Sequence, residues 1–154
     1  MLHEFALKRR VEFHETDMAG LVHFSNFFRY MEATEHAFLN EAGFPPVKQE
    51  KAMFWGWPRV NASCDYRGPL KFGDTFECRL FVRQIKIKSV VYFFRFRKLL
   101  GNGDSEPVAK GQMTAVYAEF NVGNGTMGPL DLSAELLSRI QECPDPVWRG
   151  PDKG

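Results

Sequence analysis

The chain has 154 residues, with 20 Lys+Arg against 19 Asp+Glu, four His and three Cys. That length predicts one domain able to bury ~70% of its unfolded surface without a metal or disulfide staple. A formal net charge of +1 argues against a general nucleic-acid binder, and no apolar run approaches the ~18 residues of a membrane span.

In chain order, Met1-Leu2-His3-Glu4-Phe5 lacks the basic-then-apolar pattern of a secretory signal. Phe5, Leu7, Arg9, Val11 and Phe13 share one parity, which predicts a first strand over 5–13. A small, polar loop around Gly20 follows, then the clearest helix. Ser25 or Asn26 is placed to cap it, and Phe27, Met31, Thr34 and Phe38 recur at i, i+4, i+7 and i+11. Gly43 and Pro45-Pro46 stop it. After a loop with Trp55 and Trp57, Val60, Ala62, Cys64 and Tyr66 alternate with polar residues as a half-buried strand. Phe76, Cys78, Leu80 and Val82 form the next, whose parity switches at Ile85 and Ile87, predicting a bulge near Gln84. Val90, Tyr92, Phe94 and Phe96 carry a fourth strand, 101–104 a hairpin loop, and 108–120 a fifth strand. A Gly-rich loop over 121–129, a short helix over 133–141 and a Pro-rich surface tail over 144–154 complete the chain.

The order β-α-β-β-β-β plus a short C-terminal helix predicts an α+β protein whose antiparallel sheet curls around one long apolar helix. Residues 1–143 form that domain. Both a hotdog and a cystatin-like fold satisfy the pattern, and periodicity does not choose between them. The 15 Phe call for a large apolar interior or pocket. Three Cys without a CxxC read as free thiols in a reducing, cytoplasmic setting.

The candidate chemistry lies in residues 15–26, where Asp17 sits one Gly20-permitted turn ahead of a helix N-terminus. Unpaired N–H groups there attract an oxyanion, and a carbonyl held on them is open to attack by Asp17 or by a water it activates. On residue types alone the plainer reading is a turn built by Thr16 and Asp17. However, Asp17-x-Ala19-Gly20-x-Val22-x-x-x-Asn26, preceded by Val11-Glu12-Phe13, resembles the acyl-CoA thioesterases of the 4-hydroxybenzoyl-CoA thioesterase family, which have the hotdog fold. Gly43-Phe44-Pro45-Pro46, Pro58-Arg59-Val60 and Pro69-Leu70-x-Phe72-Gly73-Asp74 extend the likeness in order over most of 10–121.

The resemblance implies an enzyme hydrolysing an acyl-CoA to free acid and CoA, with CoA part of the substrate and no cofactor. It implies Asp17 as nucleophile or general base and the backbone N–H of Phe24 as the donor to the thioester oxygen. It also implies a homodimer or homotetramer with sites at the subunit interface. Some relatives carry His at Phe24 and Tyr at Phe13, so this chain lacks both polar groups. His23, Asn26 and Trp55 are the expected substrate neighbours. Lys86, Lys88 and Ser89 read either as CoA-phosphate contacts or as charges guarding an edge strand, with Arg95, Arg97 and Lys98 weaker versions of the same idea. Trp57 is expected to pack instead.

Glu32 and Glu35, on the helix, are reserve catalytic carboxylates unless they make solvated or inter-subunit contacts. The outward parity of Phe81, Val91 and Phe93 asks for a partner surface. The four His have no metal-ligand spacing, so no metal is expected. Nor is there a GxSxG or a Gly-rich phosphate loop. Two rival readings stand: a hotdog hydratase or dehydratase, which needs a His with a carboxylate, and a non-catalytic ligand-binding or inhibitor module.

Overall fold

The structure is a computed structural model and describes residues 1–150. Its elements in order are β1 (Glu4–Arg10), a 3-10 turn at Phe13–Glu15, α1 (Asn26–Glu41), β2 (Lys48–Glu50), β3 (Met53–Gly56), β4 (Arg59–Tyr66), β5 (Thr75–Ile85) and β6 (Ser89–Leu99). Then come β7 (Ser105–Val116), β8 (Ala118–Asn121), β9 (Thr126–Pro129), α2 (Ala134–Leu137) and α3 (Asp145–Arg149). Five strands form one antiparallel sheet in the order β1-β5-β6-β7-β4, and β2-β3-β8-β9 form a second.

The helix is held as its sequence pattern predicts. Phe27, Met31, Thr34 and Phe38 are all buried, joined by Tyr30 and Leu39. They meet the inward parity of β5, where Phe76, Cys78, Leu80 and Val82 are fully buried, and Tyr92, Phe94 and Phe96 of β6. Gly111 lets β7 approach the helix, since a Cβ there would run into Met31 Sδ. The predicted bulge is present as a register shift between Val82 and Gln84.

Several expectations are corrected. The first strand stops at Arg10 because Glu12 and Glu15 bond reciprocally and turn the chain, leaving Phe13 exposed. Ser25 does not cap α1 with its side chain. The fifth strand breaks at Tyr117, whose N–H donates to Lys88 O at 2.8 Å and whose carbonyl accepts from Leu130 N at 2.8 Å. The chain then enters the second sheet, and β9 pairs with β8 where a loop was expected. The short helix is one turn, capped by Ser133 Oγ accepting from Leu136 N. Strand β4, expected half-buried, is largely exposed because it is a sheet edge, paired with β7 alone.

Phe81 and Val91 are buried by the chain itself rather than left open for a partner. The segment after α2 crosses the outer face of the large sheet, with Cys143 N–H donating to Val82 O at 2.7 Å. Trp148 of α3 packs on Phe93 with ring centroids 5.4 Å apart, under Arg83 at 4.8 Å. The tail is therefore anchored to the sheet through Trp148, while most of its described residues stay exposed on the surface; positions 151–154 lie outside the described residues.

Candidate active site

The loop ahead of α1 is a set of nested turns. Gly20, at φ 76°, takes a left-handed conformation that L side chains rarely adopt. Its N–H donates to Asp17 O at 3.0 Å, and the reversal lets Asp17 N–H meet Leu21 O at 2.7 Å. Asp17 Oδ1 accepts from Ala19 N at 2.9 Å and Leu21 N at 3.2 Å. These bonds orient the exposed carboxylate, while Oδ2 has no partner among the described residues. The loop is fastened below by Val22 N–H donating to Leu70 O at 2.8 Å and by a bridge between Leu21 and Lys71.

Glu15 fastens it to the helix. Its carbonyl accepts from His23 N at 3.0 Å and from Asn26 Nδ2 at 2.7 Å. The Asn26 amide thus clamps loop to helix rather than facing a ligand. The Glu15 carboxylate is buried and paired with Arg9 at 3.7 Å.

Along 22–28, Val22, His23, Asn26, Phe27 and Phe28 donate their N–H groups to backbone carbonyls. Ser25 N–H donates to His23 Nδ1 at 3.3 Å. The Phe24 N–H alone in that run has no acceptor among the described residues. It sits at the positive end of a 16-residue helix. Phe24, Asp17 and His23 line one cavity of about 360 Å³ with apolar walls from Leu21, Val22, Phe27 and Leu70. The His23 ring bonds Ser25 Oγ at 2.7 Å and stacks on Phe24 at 4.6 Å, so it meets no carboxylate here.

Tyr66, at the end of β4, also lines this cavity, a role its place in the strand alternation did not reveal. Its hydroxyl donates to Phe24 O at 2.9 Å and its ring meets Phe27 edge-on at 5.1 Å. Burial and the neighbouring Cys64 push its hydroxyl up to about 12. Burial likewise pushes the Cys64 thiol up to about 11.

The remaining candidates lie elsewhere in the chain. Lys86 and Lys88 lie in the β5–β6 turn and Ser89 opens β6, whereas the Asp17 loop lies by the start of β5, where Val11 N–H donates to Asp74 O at 2.9 Å. The 11 residues of β5 separate them by ~35 Å at ~3.3 Å per residue. Lys88 is paired with Asp131 at 2.6 Å. Trp55 is at that far end too, in a separate cavity of about 340 Å³ beside Phe44, Lys48 and Tyr117, past the end of α1. Trp57 packs against Tyr117 and Phe44 as expected.

Glu35 is neither solvated nor at a surface. It is fully buried, with Arg59 Nη2 2.8 Å from Oε2 and Nη1 donating to Oε1 at 3.2 Å. Burial, against the pull of Arg59, raises its carboxyl to about 7. Exposed Glu32 lies 3.7 Å from the same guanidinium. One cluster among the described residues brings metal-type ligand atoms together, Glu12, His14 and Glu15, within 4.8 Å of one another. Glu15 is already committed to Arg9 and the Glu12 N–H.

A putative esterase of Aquifex aeolicus is 42% identical over 81 residues, covering 53% of this chain and 62% of that protein. A 1,4-dihydroxy-2-naphthoyl-CoA hydrolase of Prochlorococcus marinus is 34% identical over 99 residues, covering 60% and 66%. The chain thus spans a little under two thirds of the length of these relatives. The solved 4-hydroxybenzoyl-CoA thioesterase of Pseudomonas sp. strain CBS-3 superposes with a TM-score of 0.76 at 19% identity, over 89% of this chain and 99% of that one. That likeness decides for the hotdog fold over the cystatin-like wrap. Residues 11–140 match the thioesterase-like superfamily from the first turn to the end of the domain, and the chain belongs to that superfamily.

Proposed function

We propose that this protein is an acyl-CoA thioesterase, hydrolysing a thioester to a free acid and CoA. The observation that carries the reading is the pairing, in one apolar-walled cavity, of an unpartnered Phe24 N–H with an oriented Asp17 carboxylate. The thioester oxygen accepts from the Phe24 N–H, which with the helix dipole stabilises the negative charge that develops on it. Asp17 Oδ2 then either attacks the polarised carbon directly or takes a proton from a water that does. In the first route collapse expels the CoA thiolate and leaves a mixed anhydride on Asp17, which water then hydrolyses to the free acid and the regenerated carboxylate. In the second, collapse gives the free acid directly and the proton held by Asp17 passes to the departing thiolate. Gly20 holds the turn that aims the carboxylate. His23 borders the substrate through its ring face.

The second pole of the chain supports a shared site. Trp55, Lys86, Lys88 and Ser89 can reach a substrate at Asp17 only from a second copy, because β5 holds the two poles of one chain apart. The exposed β4 edge ends beside the Asp17 cavity at Tyr66 and begins at Arg59, near the other pole. Antiparallel pairing of two β4 edges would therefore bring one chain's far pole to its partner's cavity. The assembly we propose is a homodimer or a tetramer of such dimers.

The test is free-thiol release from a panel of aromatic and aliphatic acyl-CoAs. Turnover of at least one, with free acid and CoA as the products by mass spectrometry, is expected. Intact thioesters across the panel would count against the reading.

A further inference from the structure

We infer that Tyr66 is a positioning residue of this site: its hydroxyl, reaching from β4, pins the Phe24 carbonyl and thereby fixes the Phe24 N–H that faces the cavity. The inference rests on the thioesterase reading above and adds a residue to it.

The segment 23–25 carries the free donor and is held unevenly by the helix it leads into. Ser25 gives no side-chain cap; Asn26 N donates to His23 O at 2.9 Å, but the bonds that follow are longer, 3.4 Å from Phe27 N to Phe24 O and 3.2 Å from Phe28 N to Ser25 O. The other ties are local or reach back into the same loop: His23 N and Asn26 Nδ2 to Glu15 O, and His23 Nδ1 to Ser25 Oγ. Among the described residues only the Tyr66 bond, at 2.9 Å, ties the Phe24 carbonyl, and through the shared Phe24 Cα its N–H, to the sheet. The same cavity wall includes Gly68, Pro69 and Leu70, the stretch following Tyr66 to which the Asp17 loop is fastened. Tyr66 thus references the donor and the carboxylate to one rigid frame.

The chemistry suits the task. A hydroxyl with a raised pKa stays protonated and remains a donor at any pH at which a thioester is enzymatically cleaved. The ring is partly exposed, and its edge-on contact with Phe27 at 5.1 Å orients the hydroxyl towards the Phe24 carbonyl. The exposed Phe24 ring provides no such hold, and the chain lacks a polar side chain at 24 or 13 that would supply another. Displacing a group from its productive geometry by ~1 Å costs on the order of 10²-fold in rate; losing one tether of several should cost less.

Two measurements on Tyr66→Phe test this. The variant keeps the ring and its packing and deletes only the hydroxyl. In ¹H–¹⁵N spectra, the Phe24 amide should shift and exchange faster, while Ala19 and Leu21, which donate to Asp17, stay in place. In kinetics, kcat should fall roughly 10-fold with KM within about 2-fold, the signature of an interaction realised in the transition state. The melting temperature should hardly move, and Tyr66→Ala should show no less kinetic loss. A merely structural role would lower the melting temperature and leave the kcat of the folded fraction intact. An unmoved Phe24 amide, or an unchanged kcat, overturns the proposal. If wild type cleaves nothing on the panel, the thioesterase reading falls and takes the kinetic role with it. The amide measurement then decides the positioning claim alone.

Discussion

At the scale of single residues, the candidate site shows how a short loop orients a carboxylate with ordinary parts. Asp17 is exposed, and what distinguishes it is geometry: two backbone donors on one oxygen, an open second oxygen, and a place in the same cavity as Phe24, whose N–H has no acceptor among the described residues. Gly20→Ala should therefore harm activity more than folding. The left-handed turn strains any Cβ by ~1–2 kcal/mol, and relaxing it moves Leu21 N–H off the carboxylate. A comparison of kcat and denaturant midpoint on one preparation checks this. Glu35 obeys the opposite logic, since it is buried with Arg59 and tuned by burial. Its carboxyl is raised to about 7 in the folded protein from the ordinary 4.5, so the native state binds the extra proton. Its contribution is then most favourable below pH 4.5 and declines as pH rises towards and through 7. Arg59→Met should cost ~3–5 kcal/mol at pH 8, where Glu35 is left charged and alone, and visibly less at pH 5. Equal losses at both pH values in urea titrations would contradict that account.

At the scale of elements, what the sequence made legible is what local periodicity controls. The long helix, the inward parity of β5 and β6 and the bulge at Gln84 followed from side-chain spacing alone. The Asp17 turn was recognisable because its glycine and its distance from the helix are sequence-local. Tertiary competition explains the misses. Phe13 continued the strand parity until a reciprocal Glu12–Glu15 bond turned the chain. Tyr117 fitted a β run, yet its backbone groups are taken by Lys88 and Leu130. Tyr66 read as one more alternating residue, because its bond to a carbonyl 42 positions away has no local signal. Trp148 sat in an unpatterned Pro-rich stretch, although the apolar outward face of β5 and β6 was itself the sign of a cover. Trp148→Ala should destabilise the fold by ~1–3 kcal/mol through the loss of that cover. Equilibrium unfolding would register it, and an unchanged midpoint would show that the strap contributes nothing.

At the scale of the whole molecule, the sequence offered Trp55 as a substrate neighbour and Lys86, Lys88 and Ser89 as either CoA-phosphate contacts or edge-strand guards, and the topology puts all four at the end of the sheet away from Asp17. No periodicity could have signalled that, since which end a loop occupies depends on strand order. Under the proposed function the two poles meet across a pair of chains, and the β4 edge, exposed along most of its length, is one sheet edge open for such a meeting. Complementation tests this directly. Asp17→Asn mixed and refolded with Lys86→Ala/Lys88→Ala should regain up to about a quarter of wild-type activity, since one site in a mixed dimer keeps both sets. A mixture no more active than its two components would place each site within one chain.

The central claim is that Asp17 and the Phe24 N–H act together on a thioester, and Asp17→Asn addresses it most directly. The substitution keeps the side chain's shape and an oxygen able to accept from Ala19 and Leu21, while removing the charge on which both catalytic roles depend. On the best acyl-CoA found, kcat should fall by ~10² or more with the fold intact by circular dichroism. A folded Asp17→Asn protein that cleaves the same thioester at the wild-type rate would contradict the account.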